Sequence, residues 1–455
     1  MSDTPASDIP DLSGEGGREL HYSVSPHFSS AIHLRVDGSS VWSVGLEDDS
    51  DRRLTLISDP KGRIRFHVNA KHGDGEFARL VLESDSDGSR RHAIELRFGD
   101  DPTSDMPAPP QAALRPWTDD SRMRRPLSVS ELLSVSDEEL LERHYPARPD
   151  PDEAPRAFEI WRRVVSAPGI EVDGALIERT GVTHGLAQAG PATSLNWSGF
   201  ELHQPGYIQQ GPGGRQARYA WVTGSWRVPS VVGHVAGNDY STMWIGLDGD
   251  GVPDLYQAGT EQDVATSSVP GITFSLGSYY AWTEFLPQEK FEQTISGFSV
   301  EPGDEIMACV WIGDPGSAPK VDGAFGFTYI HNFRTGEFTL VQTDRGGTTV
   351  GGSEAEWIME RTQITPSGGT PFYPTLADYS TAVMSGAYAR LADSQFGKGY
   401  LNYQGAPNRQ LRMENSARDV LSVVRAIDAE SMEFIWGDPR MLRGGVFQTV
   451  PYVKP

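Results

Sequence analysis

The chain has 455 residues, with 62 Asp and Glu against 39 Lys and Arg, and so carries a formal net charge of -23 at neutral pH. This acidity argues against binding to nucleic-acid phosphates or to an anionic membrane surface, and it suits a protein that works at low pH, where protonation relieves repulsion among carboxylates. A single cysteine, Cys309, excludes an intrachain disulfide and a metal site built from cysteines, so we expect it to pack in a core.

The N-terminal residues 1–17 are rich in Gly, Asp, Ser and Pro, which predicts a disordered end. They lack the basic and apolar regions of a secretory signal, and no later stretch offers about 18 consecutive apolar residues, so we expect a soluble protein without a membrane span. Over residues 18–100, alternating runs such as "GRIRFHVNA" and "FARLVLES" are separated by turn sequences such as "HGDG". This pattern predicts a small antiparallel β domain of unknown role.

Residues 101–190 join a Pro-rich acidic linker to a helical segment. In "SVSDEELLERH", Ser136 and Glu139 form a capping box. In "APRAFEIWRRVVS", Pro155 opens a run of apolar residues at helical spacing. We therefore expect two short helices here.

From residue 191 to residue 436, short alternating strands, Gly/Pro/Asp turns and many aromatic residues predict an all-β sandwich or barrel, followed by a surface tail over residues 437–455. Residues two apart share a face of a strand. In "TMWIGLD", Met243 and Ile245 therefore lie on one face, whereas Trp244 and Asp248 lie on the other.

Three further strands divide in the same way into an apolar side and a side of tryptophan, acid and amide residues, namely Gln257 with Glu261, Trp282 with Glu284, and Glu356 with Glu360. A solvated face would carry Lys, Thr, Ser and Arg rather than indoles, so the pattern indicates a groove. Carboxylates gathered in a groove repel one another, which raises the pKa of at least one and leaves a proton for general acid/base catalysis. The alternative for each of these residues is a structural hydrogen-bonding role.

Other catalytic patterns are absent from the sequence. There is no H-E-x-x-H metal motif, no G-x-S-x-G elbow, no Walker loop and no G-x-G-x-x-G after a strand. The loop "DGDGVPD" has the wrong residue at one ligand position for an EF-hand and is expected to be a turn. We expect no metal and no cofactor.

Taken in order and spacing, "NWSGF", "GSWRVPS", "WIGLDG", "YQAGTE", "YYAWTEFLP", "GDEI", "NFRTG" and "AEWIMER" resemble the eqolisin or glutamic peptidase family over residues 192–436. The resemblance implies a bent, concanavalin-like sandwich of two antiparallel sheets with a catalytic glutamine and glutamate on its concave face. Carried over by motif, these two are Gln257 and Glu360.

The resemblance also implies supporting and substrate-groove residues, which by motif are Trp244, Asp248, Glu261, Trp282, Glu284 and Glu356. Glu261 stands where the family has an aspartate, "QAG" replaces "QTG", and "TEF" replaces "YEW", so substrate specificity does not transfer. In this reading Glu360 activates a water and returns its proton to the leaving amine, while the amide of Gln257 donates to the developing oxyanion.

The resemblance implies an acid-active endopeptidase with protein or peptide substrates, and we expect a monomer. Acid proteolysis favours a place outside the cytoplasm, although the visible N-terminus carries no export signal. Two other interpretations remain open: a sandwich that binds carbohydrate or peptide without cleaving it, and a glycosidase that uses Glu284 and Glu360.

Residues 117–168 resemble the segment that precedes the sandwich in bacterial relatives. One hypothesis is a propeptide that covers the groove, with arginines facing the groove acids until low pH weakens the pairing; the alternative is a plain spacer. The arginines considered for this role are Arg122, Arg124, Arg125, Arg162 and Arg163.

Overall fold

Strands are the main secondary structure of the described residues, as the alternating pattern predicts. The computed structural model describes residues 123–437, with gaps at 129, 189, 191, 204–217, 234–236, 270–271, 349, 393–399 and 403–407, and before them the backbone of seven strands. The helices are α1 Glu131–Ser134, α2 Asp137–Glu142 and α3 Pro155–Val165. The strands up to the helices are β1 Glu19–Val24, β2 Ser29–Val36, β3 Trp42–Glu47, β4 Thr55–Ser58, β5 Ile64–Val68, β6 Phe77–Ser84, β7 Arg91–Phe98 and β8 Met123–Arg124.

The strands after the helices are β9 Gly169–Glu171, β10 Leu176–Glu178, β11 Val182–Thr183, β12 Thr193–Ser194, β13 Trp197–Leu202, β14 Tyr219–Arg227, β15 Val231–Val232, β16 Gly237–Leu247, β17 Leu255–Val269, β18 Ile272–Leu286, β19 Gln293–Ile295, β20 Glu305–Gly313, β21 Phe325–Asn332, β22 Glu337–Asp344, β23 Ala355–Glu360, β24 Gln363–Ile364, β25 Asp378–Tyr379, β26 Ala382–Leu391, β27 Tyr400–Asn402, β28 Asn408–Glu414, β29 Val420–Asp428 and β30 Ser431–Trp436.

The N-terminal strands pair among themselves and with the sandwich. β3, β6, β7 and β1 form one sheet, in which β1 and β7 are parallel, whereas the sequence pattern predicted antiparallel pairing throughout. β2 pairs with β5 and, on its other side, with the first part of β18. The predicted disordered N-terminus, the Pro-rich linker before residue 123 and the predicted C-terminal tail lie outside the described residues.

Two antiparallel layers form the predicted all-β sandwich. The groove sheet has the order β13, β23, β16, β17, β18. The helix-side sheet has the order β22, β21, β20, β14, β26. The division of faces predicted from "TMWIGLD" is confirmed, because Met243 and Ile245 are buried in the core between the sheets together with Trp357.

Buried tryptophans in this core have hydrogen-bond partners on the opposite sheet. The indole nitrogen of Trp226 donates to Oγ1 of Thr260 at 2.9 Å, and that of Trp357 donates to the carbonyl oxygen of Thr223 at 2.8 Å. A buried indole without a partner would lose the hydrogen bond that it makes to water when unfolded. These bonds therefore let the core bury large aromatic rings without unpaired N–H groups.

The helices pack on the outer face of the helix-side sheet. The side chain of Ser136 accepts from the backbone N–H of Glu139 at 3.2 Å, which confirms this half of the predicted capping box, and Pro155 begins α3 as predicted. Trp161 of α3 is fully buried in one cluster with Trp221 and with Cys309, whose predicted core position is confirmed.

Glu430, in the turn between β29 and β30, and Gly386 of β26 both contact α3. The carboxylate of Glu430 accepts from the backbone N–H groups of Arg156 at 3.1 Å and of Ala157 at 2.8 Å. These are free N–H groups of the first helical turn, which a carboxylate stabilises. Gly386 has φ +65°, and a Cβ atom there would lie 2.8 Å from Cδ1 of Ile160, so the close approach of helix and sheet requires glycine.

The hypothesis that the helical segment lies over the groove is wrong for its described part, because these helices cover the opposite sheet. The arginines have other partners: Arg163 pairs with Glu305 at 2.6 Å and Arg162 with Glu159 at 2.5 Å. Arg125 pairs with Glu131, Arg124 donates to the hydroxyl of Tyr329, and Arg122 lies outside the described residues. The physical reason is the aromatic outer face of the helix-side sheet, which offers α3 an apolar surface that the acidic groove does not.

We expect Trp161→Ala to lower the free energy of unfolding by about 3–5 kcal/mol, because it removes the largest buried side chain of α3 and leaves a cavity. The indole nitrogen also donates to the carbonyl oxygen of Pro146 at 2.9 Å, and that acceptor would lose its donor. Urea unfolding measures the change. Trp161→Phe, which keeps an aromatic ring, should lower the free energy of unfolding less than Trp161→Ala does. Equal stability of the two variants and the wild type would contradict the stabilising role of α3.

Candidate active site

The outer face of the groove sheet carries the acids, the glutamine and the indoles together. In register, Gln257 of β17 lies opposite Gly246 of β16 and opposite Glu284 of β18. Glu360, at the end of β23, lies opposite Thr242 of β16. Two-residue alternation places these side chains on the face away from the core.

Glu360 is fully buried and held by nitrogen donors. Its Oε2 atom accepts from the indole nitrogen of Trp244 at 2.7 Å, and its Oε1 atom accepts from Nδ2 of Asn196 at 3.3 Å. Burial raises the pKa of Glu360 well above its usual range, although the bonds from Trp244, Asn196 and Trp197 act in the opposite direction. The Glu360 carboxyl can therefore hold a proton where an exposed glutamate would not.

Gln257 is also fully buried, and its amide nitrogen is oriented by two acceptors. Nε2 donates to Oε2 of Glu284 at 3.2 Å and to the carbonyl oxygen of His184 at 2.9 Å, while Oε1 has no hydrogen-bond partner among the described residues. Glu284 is itself fixed by the hydroxyl of Thr183 at 2.7 Å and the backbone N–H of His184 at 2.8 Å. Burial raises the pKa of Glu284 well above its usual range.

A stretch of chain that precedes the sandwich, which we call the groove segment (residues 182–188), passes between Gln257 and Glu360. Its residue His184 touches both, through its carbonyl oxygen to Gln257 and through Nδ1 to Oε2 of Glu360 at 3.9 Å. The backbone of Gly185 also interacts with Glu360 and lowers the pKa of its carboxyl. The two predicted catalytic side chains thus meet at one peptide unit of the chain.

The side chain of His184 lies in an aromatic and acidic pocket. Its ring stacks on Trp282 with centroids 3.6 Å apart, and Nε2 lies 2.7 Å from Oε2 of Glu292 and 3.7 Å from Oε2 of Glu261. Burial lowers the pKa of His184 despite the neighbouring Glu292 carboxylate. The Glu261 carboxyl also accepts from the hydroxyl of Thr362 at 2.6 Å, and burial raises its pKa well above the usual range.

The other predicted supporting residues lie at different places on the same face. Trp282 donates from its indole nitrogen to Oγ1 of Thr242 at 3.0 Å. Glu356 lies opposite Gly246 in register, is fully buried, and has no hydrogen-bond partner among the described residues for either carboxyl oxygen. Burial raises the pKa of Glu356 well above its usual range, and nearby acids, Glu201 first, raise it further.

Asp248 holds the loop that leads into β23 and makes no hydrogen bond to Gln257 or Glu360. It accepts from the backbone N–H groups of Gly352 at 2.7 Å, Ser353 at 2.6 Å and Glu354 at 3.2 Å. Its backbone has φ 67°, which an aspartate adopts more readily than most residues. Asp248 therefore fixes the loop that positions β23.

Two groups of described residues bring potential metal-ligand atoms within 4.8 Å of one another, and these are His184 with Glu261 and Glu292, and Glu201 with His203 and Asp250. In the first group, the imidazole already bonds the Glu292 carboxylate. In the second, His203 lies 3.2 Å from Glu201, and Arg409 pairs with both acids. Ion pairs therefore account for the proximity of these ligand atoms.

His184, Thr183 and Glu292 lie in this site although no sequence pattern indicated them. Nothing in "GVTHGLAQ" has the periodicity of a strand in the sheet, and the contact between His184 and Glu292 spans 108 positions. Asn196 could have been found, because it lies in the motif "NWSGF" that carries part of the family resemblance.

Comparison with known proteins adds a family match over the same region. The sequence model of the Peptidase A4 family matches residues 195–432, just over half of the chain. Scytalido-glutamic peptidase with a transition state analog inhibitor has a similar structure, with 18% identity, 53% of this chain and 98% of that chain covered, and a TM-score of 0.39. SCP-B, an eqolisin in complex with the tripeptide Ala-Ile-His, has 16% identity, the same coverage and a TM-score of 0.37. No curated protein matches the chain.

No described helix has the length and apolar character needed to cross a bilayer.

Burial raises the pKa of Asp248 from 3.8 to about 7. The folded protein therefore holds a proton that the unfolded chain loses near pH 4, so this contribution to stability is complete below about pH 4 and is lost as the pH rises through about 7. Its size is at most about 4 kcal/mol. We expect the urea concentration at the unfolding midpoint to decrease as the pH rises from about 4 to about 7.

The matched variant for this prediction is Asp248→Asn, which keeps an oxygen acceptor for the loop but cannot titrate. The variant should be less stable than the wild type at low pH, because one accepted hydrogen bond is lost. Its free energy of unfolding should also change less with pH. A variant whose pH dependence equals that of the wild type would show that Asp248 does not carry the effect.

Proposed function

This chain belongs to the Peptidase A4 family, the glutamic peptidases or eqolisins, and from this premise we propose that it is an acid-active endopeptidase whose catalytic pair is Gln257 and Glu360. Family membership makes it a glutamic-type endopeptidase, with proteins or peptides as substrates. The assignment of the two residues and of their roles is the proposal.

The observation that supports this pair most strongly is their shared contact with one peptide unit. The amide nitrogen of Gln257 donates to the carbonyl oxygen of His184 at 2.9 Å, and the Glu360 carboxyl interacts with the backbone of Gly185, on the other side of the same peptide bond. A hydrolase needs a donor at the oxygen that becomes anionic and a proton carrier near the nitrogen that leaves. Here the chain's own His184 carbonyl stands where a substrate carbonyl would bind.

In the proposed reaction, Glu360 in its ionised form takes a proton from water, and the water oxygen attacks the carbonyl carbon. The Gln257 amide stabilises the oxyanion, and Glu360 then gives its proton to the leaving nitrogen. Trp244 and Asn196 orient the Glu360 carboxyl, whereas Glu284 orients the Gln257 amide. Since an amide does not titrate, Gln257 can serve as a donor throughout the acidic range.

We expect Glu360→Gln to abolish digestion of casein measured from about pH 2 to about pH 7, after acid incubation of both proteins, because a neutral amide cannot accept a proton from water. The loss should be at least about a hundredfold. Bound but uncleaved peptide in the wild type would favour a binding protein, and full activity of the variant would exclude Glu360 as the base.

We expect Gln257→Ala to lower kcat by about a hundredfold or more, because one oxyanion donor contributes on the order of 3 kcal/mol. Gln262→Ala is the matched control. Gln262 is a buried glutamine of the same strand on the opposite face, where its amide donates to the backbone of Thr260. Equal activity losses in the two variants would mean that both act through folding and would refute the special role of Gln257.

A further inference from the structure

The groove segment is bound along its backbone in the manner of a peptide. Its first two residues, β11, pair antiparallel with β24, and the carbonyl of Val182 accepts from the backbone N–H of Glu292 at 3.0 Å. Farther along, the backbone N–H of Ala187 donates to the carbonyl of Gly249 at 3.1 Å. Backbone hydrogen bonds of this kind hold extended peptides in grooves, with pockets for individual side chains.

One peptide bond of this segment, between His184 and Gly185, lies between the two proposed catalytic side chains. The carbonyl oxygen of His184 accepts from the amide of Gln257 at 2.9 Å, and the backbone of Gly185 interacts with the Glu360 carboxyl. Nδ2 of Asn196 joins the two, because it donates to the carbonyl oxygen of Gly185 at 3.2 Å and to Oε1 of Glu360 at 3.3 Å. The next carbonyl, that of Gly185, accepts from the indole nitrogen of Trp197 at 3.1 Å.

From this placement we infer that the bond between His184 and Gly185 is a processing site that the protein cleaves in its own chain, an inference that rests on the function proposed above. Water adds to the carbonyl carbon of His184 while Glu360 takes its proton. The C–N bond then breaks and Glu360 returns the proton to the nitrogen of Gly185. One water is consumed, and the products end in the carboxyl group of His184 and begin with the amino group of Gly185.

The pocket around the His184 side chain supports its choice as the residue before the cleaved bond. The ring stacks on Trp282, bonds Glu292 and is completely buried. A flat ring that can donate a hydrogen bond fits this pocket, whereas an acidic side chain would face Glu261 and Glu292. The same pocket therefore favours histidine before the cleaved bond in other peptides.

Cleavage would free the groove without separating the two parts of the chain. The helices remain packed on the far sheet, held by the buried Trp161 and by the Glu430 carboxylate at the start of α3. Once the bond is cut, the two new chain ends at His184 and Gly185 can leave the groove independently of each other.

Acid incubation of the full chain, followed by intact mass spectrometry under denaturing conditions, tests the inference. We expect two fragments, Met1–His184 and Gly185–Pro455, with a rate that does not change on roughly 100-fold dilution because the reaction is intramolecular. Glu360→Gln should stay whole, with cleavage at least about a hundredfold slower.

A matched pair of variants tests the bond itself. Gly185→Pro removes the N–H beside Glu360 and should leave the bond uncut. Gly185→Ala should be cut, because a Cβ atom there makes only ordinary contacts, with the Tyr373 hydroxyl at 3.5 Å and with Oε1 of Gln363 at 3.9 Å as the nearest atoms. The uncut Gly185→Pro chain should also cleave an added peptide, TGVTHGLAQ, at least about tenfold more slowly than the processed wild type, since its groove stays filled.

The outcomes separate this inference from the proposed function. A wild-type chain that cleaves the added peptide while its own chain stays whole, or is cut only at other bonds, refutes the processing site and leaves the peptidase assignment in place. Full activity of uncut Gly185→Pro would likewise refute it. A wild-type chain that cleaves neither itself nor any added peptide refutes both.

Discussion

The structure depends on the burial of several carboxyl groups on one face of one sheet. Glu284, Glu356 and Glu360 are all fully buried there, and burial raises the pKa of each well above its usual range. Few cations are available among them: Arg179 pairs with Asp263 at 2.7 Å at the edge of the group, and Glu360 is held by neutral donors. Such an arrangement is stable only while most of these groups keep their protons, which is the case in acid.

The groove segment contributes to this burial. His184 and Gly185 lie against Glu360, so they exclude the water that would otherwise stabilise its charge. With the segment in place, burial raises the pKa of the Glu360 carboxyl, so only its ionised fraction can take a proton from water and cut the segment. Once the segment has left, hydration would favour the charged carboxylate and enlarge that fraction at a given pH. The groove segment would thus control both the access of substrates to Gln257 and Glu360 and the protonation of Glu360.

Alternation alone predicted which side of each strand faces the core, since Met243 and Trp357 lie in the core whereas Trp244 lies outside it. That Gln257 and Glu360 share one site came from the family resemblance, because they lie on strands separated by β16 and local patterns do not encode such pairing. Of the two hypotheses for the helical segment, the one that placed it over the groove is wrong, because the helices cover the other sheet. Amphipathic spacing shows that a helix has an apolar face, but not which distant surface will bury it. The position of His184 was missed because it too depends on contacts with distant parts of the chain, which local patterns do not encode.

The acidic cap of α3 bears on the order in which the protein can assemble. Glu430 lies 273 positions after Ala157, whose backbone N–H it accepts. On a growing chain the first turn of the helix therefore waits for its partner until almost the entire sandwich has been synthesised, and a contact of such long range forms late. A chain that ends before the hairpin of β29 and β30 therefore lacks the carboxylate that stabilises the first turn of α3, and only the packing of residues such as Trp161 holds the helix on the sandwich.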